Sequence, residues 1–340
     1  MVSLLAYEGI KAPLSNGRRE ERQRRLTMDK WIHRVITCLF FPASLVNMIV
    51  RLKDKKPPYG KVIQTARGAF HVIENGSGPV TVVFDAGLSG HAMQWHRVQE
   101  ELSRFTHTIS FDRGGYGWSE PRHGAHDAKG AGEDLDAILD ALHCHSTLLL
   151  VAHSYGGLNA RLYSSLHRER VKGLVLVDTV HEDRYTLNAM TDCRRKEWRN
   201  MHHGMRFAHY FSRTGFPRLF TEKVGGDFLF PELQEWHPAI GYRPEAYEAV
   251  YNELKDSALS AEQIRHCPPL DPSLPLTLIQ ARHTDPEWQG YVKKLKLLTK
   301  DPTIIETPHG HSIQMENPAL VTGAILDTLR GIEHEETGQA

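Results

Sequence analysis

The run Leu148-Leu149-Leu150-Val151-Ala152-His153-Ser154-Tyr155-Gly156-Gly157 constrains the fold more than any other stretch of the chain. Its apolar part is too short for most helices and reads as a strand buried on both faces, as in a parallel sheet. It stops abruptly at Ser154, which small residues flank, and a helix-like pattern follows. Strand, tight serine turn and helix together are the sequence form of a nucleophile elbow. A serine on such a turn is exposed and its backbone is strained, a state tolerated chiefly where function demands it. Ser154 is therefore the candidate nucleophile, with a carbonyl carbon as its target.

From Gly60 onward, apolar strands alternate with amphipathic helices. Val62–Thr65 and Phe70–Glu74 read as a hairpin around Arg67-Gly68, and Asn75-Gly-Ser-Gly-Pro79 as a turn cluster. Further strands are expected at Val80–Asp85, Thr108–Asp112, Thr147–Ala152, Lys172–Asp178, Leu276–Gln280 and Thr303–Glu306. Glu133–His143 carries Leu135, Ile138, Leu139 and Leu142, the stripe of a helix lying on a sheet. A last helix is expected from Pro318 to near Arg330. The pattern implies an α/β fold, a mostly parallel sheet with helices on both faces, whose ligands sit at the carboxyl ends of the strands. The core is expected over 57–180 and 270–332, with 333–340 a tail lacking structure.

Between these two core segments, 181–269 is rich in aromatics and histidine. A structureless loop of that length would be improbable, so a helical cap is expected before the penultimate strand, over the active-site edge. Most of its aromatics are expected to form the cap's own core, and a few to face the pocket and favour an apolar acyl or alcohol group.

Composition narrows the function classes. Of the 340 residues, 40% are hydrophobic and 24% charged, which is ordinary for a globular protein. The formal net charge is zero, so no global field favours nucleic acid or an acidic partner. Cys38, Cys144, Cys193 and Cys267 show no C-x-x-C spacing, which argues against a disulfide framework or a zinc site. Local pairs among the histidines, such as His202-His203 and His143/His145, lack a carboxylate or cysteine at ligand spacing.

The N-terminal segment is of a different kind. Residues 1–30 are polar and arginine-rich around Arg18–Arg25, and are expected to lack structure. Met28 is a plausible true start. Val35–Val50 is free of charge and bracketed by Arg34 and Arg51. At 16 residues it is shorter than the roughly 20 a spanning helix needs. Extension back to Trp31 brings in His33 and Arg34, which could snorkel to headgroups. Residues 31–56 are thus a membrane-anchor or interfacial-helix candidate, with membrane association through residues 31–50, followed by a linker, against two rivals: a cleaved signal, and a helix packed on the domain or covering a pocket. Arg51-Leu-Lys-Asp-Lys-Lys-Pro-Pro follows where a cleavage site would stand, which argues against cleavage. The localisation expected is membrane-associated, otherwise cytoplasmic.

Several motifs agree in order and spacing with a known family. Ala152-His-Ser154-Tyr-Gly156 resembles the G-x-S-x-G elbow, with Ala in place of the first Gly. Phe111-Asp112-Arg113-Gly-Gly-Tyr-Gly-Trp-Ser119 resembles a D-R-x-G-x-G-x-S loop. Asp85-Ala86-Gly87-Leu88-Ser89-Gly90 occupies the oxyanion-loop position, and Gly310-His311 with Met315-Glu316-Asn317-Pro318 resembles a catalytic-histidine loop. From about residue 60 to 332 the chain resembles the α/β-hydrolase superfamily, in its serine esterase-like branch with a cap.

The resemblance implies roles. A serine hydroxyl needs a base, and His311 takes that place, with His309 the rival two residues earlier. The imidazole needs a carboxylate to fix its tautomer, and the family order is Ser, acid, His. Asp285, just beyond the penultimate strand, is the expected acid. Asp178, at the end of the strand after the elbow, is the alternative, and Glu287 trails. The backbone N–H groups of Leu88 and Tyr155 would form the oxyanion hole. Asp112, Arg113 and Ser119 are read as scaffold. The implied function is hydrolysis of a carboxylic ester, or an amide, of a small or lipid-like substrate through an acyl-enzyme, with no metal or organic cofactor. Epoxide hydrolases and haloalkane dehalogenases share the fold but carry aspartate at the elbow, which Ser154 argues against. A C–C bond hydrolase or peptidase of the same fold stays open, as does a non-catalytic small-ligand receptor or scaffold.

Overall fold

The computed structural model describes residues 16–53, 57, 59–220, 223–226, 230–283 and 285–336. Eight strands form one sheet: β1 (Lys61–Thr65), β2 (Gly68–Asn75), β3 (Val80–Asp85), β4 (His107–Phe111), β5 (Thr147–His153), β6 (Val171–Val177), β7 (Leu276–Ala281) and β8 (Thr303–Thr307). Their spatial order is β1-β2-β4-β3-β5-β6-β7-β8. Strand β2 runs antiparallel to both β1 and β4, and all other pairs are parallel. The expected strands are all present within a residue or two.

The principal helices are α1 (Asn16–Leu39), α2 (Phe41–Arg51), α3 (His96–Leu102), α4 (Ala128–Ala141), α5 (Gly156–Leu166), α6 (Asp192–Phe211), α7 (Pro244–His266), α8 (Pro286–Leu295) and α9 (Pro318–Glu336). The alternation of side chains along each strand divides the core into two layers. Leu148, Leu150 and Ala152 of β5 pack with Leu135, Ile138 and Leu139 of α4 and with Tyr163 of α5. Leu149 and Val151 face the other way, toward Val98 and Leu102 of α3 and Val321, Ile325 and Leu329 of α9. Both faces of β5 are therefore covered, which is why its sequence reads as an unbroken apolar run. Loss of one such side chain, as in Leu150→Ala, costs about 2–5 kcal/mol.

Register sets the geometry of the carboxyl edge. In the β5–β6 pair His153 lies opposite Val177, so the next residues, Ser154 and Asp178, leave the sheet side by side. In the β3–β5 pair Asp85 lies opposite Ala152, which brings the loop after β3 to the same edge. The chain after β8 arrives there too, since β8 runs parallel to β7.

Helical structure occupies much of the insert between β6 and β7, including α6 and α7. Two expectations about the termini are corrected. The N-terminal tail is helical from Asn16 onward, while 1–15 lie outside the described residues. The last helix runs on to Glu336, beyond the expected end of the ordered chain, and 337–340 lie outside the description. The apolar stretch Val35–Val50 is divided between α1 and α2, which bend by 96° at the break. Among the described residues no single helix is long and apolar enough to cross a membrane.

Candidate active site

Ser154 sits at the turn from β5 into α5 with φ of +50°. That left-handed conformation is costly for a non-glycine residue and holds the side chain out from the edge. The turn is locked by its neighbours. Ser154 N–H donates to Val177 O at 3.1 Å, and Thr179 Oγ1–H donates to Ser154 O at 2.7 Å. Gly156 and Gly157 permit the tight approach behind it. A Cβ at Gly156 would lie 2.6 Å from the Ala86 carbonyl oxygen, and one at Gly157 would overlap the Thr179 side chain.

The structure brings His311 to the serine. His311 Nε2 lies 2.9 Å from Ser154 Oγ, and His311 Nδ1 lies 2.6 Å from Asp178 Oδ2. With its Nδ1–H donated to the carboxylate, neutral His311 presents the Nε2 lone pair to the hydroxyl. The His311 side chain is 44% exposed, so the serine and its partner are open to a ligand from solvent. His309, the rival base, instead places Nδ1 on Thr307 Oγ1.

Asp285 is not the partner of His311. It is exposed and caps α8, accepting from Glu287 N–H at 3.1 Å, with Pro286 at the first helical position. Glu287 accepts from Tyr291 Oη–H at 2.5 Å. The carboxylate at the histidine is that of Asp178, fully buried just past β6 with φ of +42°. It also accepts from Ala281 N–H at 3.0 Å. His283 Nε2 lies 2.9 and 3.0 Å from its two oxygens. Burial alone would raise its pKa, but the hydrogen bonds and charges of His311 and His283 hold it below the ordinary carboxylate value. Physically, the two positions differ in what surrounds them: Asp178 is desolvated and held by several donors, while Asp285 stands in water at a helix start. A sequence signal for this was present, since Asp followed by Pro and Glu is itself a helix-start signature.

Three supporting groups surround the pair. His153 Nε2–H donates to His311 O at 2.9 Å, and the two rings lie 4.6 Å apart. Burial, then the nearby His311, lowers the His153 pKa to about 3, so its ring stays neutral. Trp288 sets its ring 4.3 Å from His283 and edge-on to His311 at 5.7 Å. Sequence reading singled out neither His153 nor His283 as a site residue. His153 lies within the elbow motif and His283 two residues before Asp285, but contacts between distant segments give them their place.

Arg113 braces the loop after β3. Its Nη1–H groups donate to Asp85 Oδ1 and Ala86 O, each at 2.5 Å, and Nη2–H donates to Gly87 O at 2.8 Å. Glu253 of α7 takes Nε–H at 2.6 Å. Because the peptide is trans, a Gly87 carbonyl aimed at Arg113 turns the Leu88 N–H the opposite way. The same loop runs against the serine: a Cβ on Gly87 would lie 3.1 Å from Ser154 Cβ. Tyr155, whose backbone begins the turn into α5, is buried, with its hydroxyl 3.0 Å from Ser260 Oγ of the insert. Asp112 is a structural hub, accepting from Ala92 N–H at 2.7 Å and Trp118 N–H at 3.0 Å and pairing with His71 Nδ1 at 2.7 Å. Burial opposes its ionisation, yet His71 and the backbone donors bring its pKa down to about 2.

A family profile described as alpha/beta hydrolase fold matches residues 80–318, more than half of the chain. The chain belongs to this family. Solved members similar to it include a thermophilic esterase from Thermogutta terrifontis, with 19% identity and a TM-score of 0.57 over 80% of this chain and 98% of that one. A Bacillus megaterium epoxide hydrolase matches at 17% identity and a TM-score of 0.59, over 79% of this chain and 100% of that one. The enol-lactonase of Burkholderia xenovorans LB400 matches at 17% and 0.55, with the same coverage. At such identities the likeness is one of fold. Among curated relatives, YqjL of Bacillus subtilis (strain 168) is 29% identical over 111 residues, 32% of this chain and 44% of the relative. YbdG of the same strain is 23% identical over 206 residues, 58% of this chain and 61% of the relative. The chain thus spans less than two thirds of the length of either relative.

Proposed function

We propose that this member of the alpha/beta hydrolase fold family is a serine hydrolase acting on a carboxylic ester of a small or lipid-like apolar substrate. The observation that carries the reading is the continuous relay from Asp178 through His311 to Ser154, at 2.6 and 2.9 Å. Ser154 Oγ attacks the ester carbonyl while His311 Nε2 takes its proton. The tetrahedral oxyanion is held by the N–H groups of Leu88 and Tyr155. His311 then gives its proton to the departing alkoxide, and the acyl group remains on Ser154. Water, deprotonated by the same imidazole, attacks the acyl carbonyl and releases the acid. Throughout, Asp178 stabilises the imidazolium, and His283 and Ala281 N–H hold that carboxylate in place.

The test is turnover of short p-nitrophenyl esters by the full chain. The expected result is measurable hydrolysis that falls at least about a thousandfold in kcat in Ser154→Ala. An unchanged rate in that variant would refute the assignment.

A further inference from the structure

Helix α2 is folded the wrong way round for water. Its polar residues face the protein: Ser44 and Asn47 are buried, and Arg51 is half-buried. Asn47 Nδ2–H donates to Ser212 O at 3.3 Å and Arg213 O at 3.1 Å, and its Oδ1 accepts from Arg218 Nε–H at 3.0 Å. Arg51 reaches Glu245 of α7 at 3.0 Å. The apolar residues face out, with Phe41 60%, Val46 60%, Met48 54%, Ile49 49% and Leu52 79% exposed.

The insert continues this surface. Phe40 lies 6.0 Å from Phe211, which begins a run of rings through Phe216 to Phe220. Phe207, Leu219 and Phe220 are at least half exposed. The aromatics that the sequence places in the insert therefore do not all serve a private core. A contiguous exposed patch of this kind marks a docking surface.

Its charge selects the occupant. In the stretch 27–53 the one acid is Asp29, which is buried and takes the hydroxyls of Tyr210 at 2.5 Å and Tyr251 at 3.3 Å. The cations Lys30, Arg34 and Lys53 are exposed. Lys30, Arg34 and exposed Arg213 line a groove of about 410 Å³ between α1 and the insert, where Glu248 is the other acid. Trp31, 65% exposed, adds an aromatic of the kind that settles at headgroup level. Two copies of this chain meeting face to face would set these cations against one another, whereas an anionic lipid surface is complementary to them.

We infer that α2 and the exposed insert aromatics form one surface that lies in the interface of an anionic lipid bilayer, with α1 and α2 bent along it rather than spanning it. The polar face of α2 keeps its bonds to the insert, and the apolar face enters the acyl boundary. The chemistry at Ser154 plays no part in this inference.

The experiment is flotation of the full chain with vesicles of phosphatidylcholine containing about a quarter phosphatidylglycerol. Wild-type protein is expected to float with them, and less with phosphatidylcholine alone. The double change Val46→Glu and Ile49→Glu should lower the bound fraction at least about tenfold. Phe220→Glu, on the insert side, should weaken binding in the same direction and keeps the test valid if the double variant misfolds. Esterase turnover and far-ultraviolet circular dichroism of the variants should match wild type. Failure of wild-type protein to float would overturn the inference. So would flotation that the variants leave unchanged, or a stable dimer that they convert to monomer, which would make a second copy the occupant.

Discussion

Arg113 and His33 are both buried, yet their surroundings differ in kind. Arg113 is matched by Asp85, Glu253 and two carbonyls at the carboxyl end of the sheet. His33 of α1 meets His209 of α6 edge-on at 4.8 Å, and His33 Nε2 and His209 Nδ1 have no hydrogen-bond partner among the described residues. The first region holds its buried charges in a closed network, which rigidifies it only because each is paired. The second buries neutral imidazoles against one another at the junction of the N-terminal helices with the insert. Burial, the largest effect, brings the pKa of His33 to about 4 and that of His209 to about 3. The difference separates a region held by paired charges from one that buries a pair of unpartnered rings.

The largest expected effect that sharpens this contrast is on rate. Asp178→Asn should lower kcat on an activated ester by about 10⁴-fold, because the amide no longer fixes the His311 tautomer. Asp285→Asn, a change in an exposed cap, should leave kcat within about twofold and cost no more than about 1 kcal/mol of stability. Equal losses in both would remove the distinction between the two acids.

Next in size is stability at the sheet end. Arg113→Met strands Asp85 and Glu253 without their cation and should lower the unfolding free energy by about 3–5 kcal/mol, read by denaturant titration. A loss below about 1 kcal/mol would mean that the network is an ornament of the fold.

The smallest effect is a pH dependence that separates the two regions. For His33 and His209 the folded pKa is depressed. Their contribution is fully present above the unfolded value of about 6.5 and is lost as pH falls toward about 4. The His71–Asp112 pair behaves otherwise. The Asp112 contribution persists above about 4 and fades only as pH falls through about 2, while His71, whose pKa is raised, contributes fully below about 6.5. Between pH 6.5 and 4.5, amide protection, corrected for the intrinsic exchange rate, should therefore fall more in α1 and α2, where two such rings meet, than in β4 and the loop after it, where buried His91 is the neighbouring ring with a pKa lowered to about 4. Parallel loss in both regions would break the comparison.

The same contrast explains what could be read from the chain beforehand. Strand β5 and its turn were legible because apolar burial and small residues leave a local mark. The place of His311 was legible through the motif around it. The acid was not, because Asp285, Asp178 and Glu287 all satisfy the order Ser, acid, His. Only the pairing of His153 with Val177 puts Asp178 beside the serine. The helical structure of 16–30 was not legible for a different reason. Periodicity finds helices by their apolar stripe, but here the protein-facing positions are Asp29, His33, Ser44 and Asn47. Composition reads such a segment as a polar tail joined to an anchor, and the surface that receives it comes from α6 and α7, far along the chain.

The most direct test of the central claim, that His311 and Asp178 make Ser154 reactive, is labelling of the intact protein with a fluorophosphonate, followed by mass spectrometry. The account predicts a single adduct on the peptide containing Ser154, formed rapidly in wild type and slowed at least about a thousandfold in His311→Ala. An adduct on another residue, no adduct at all, or an undiminished rate without the imidazole would contradict it.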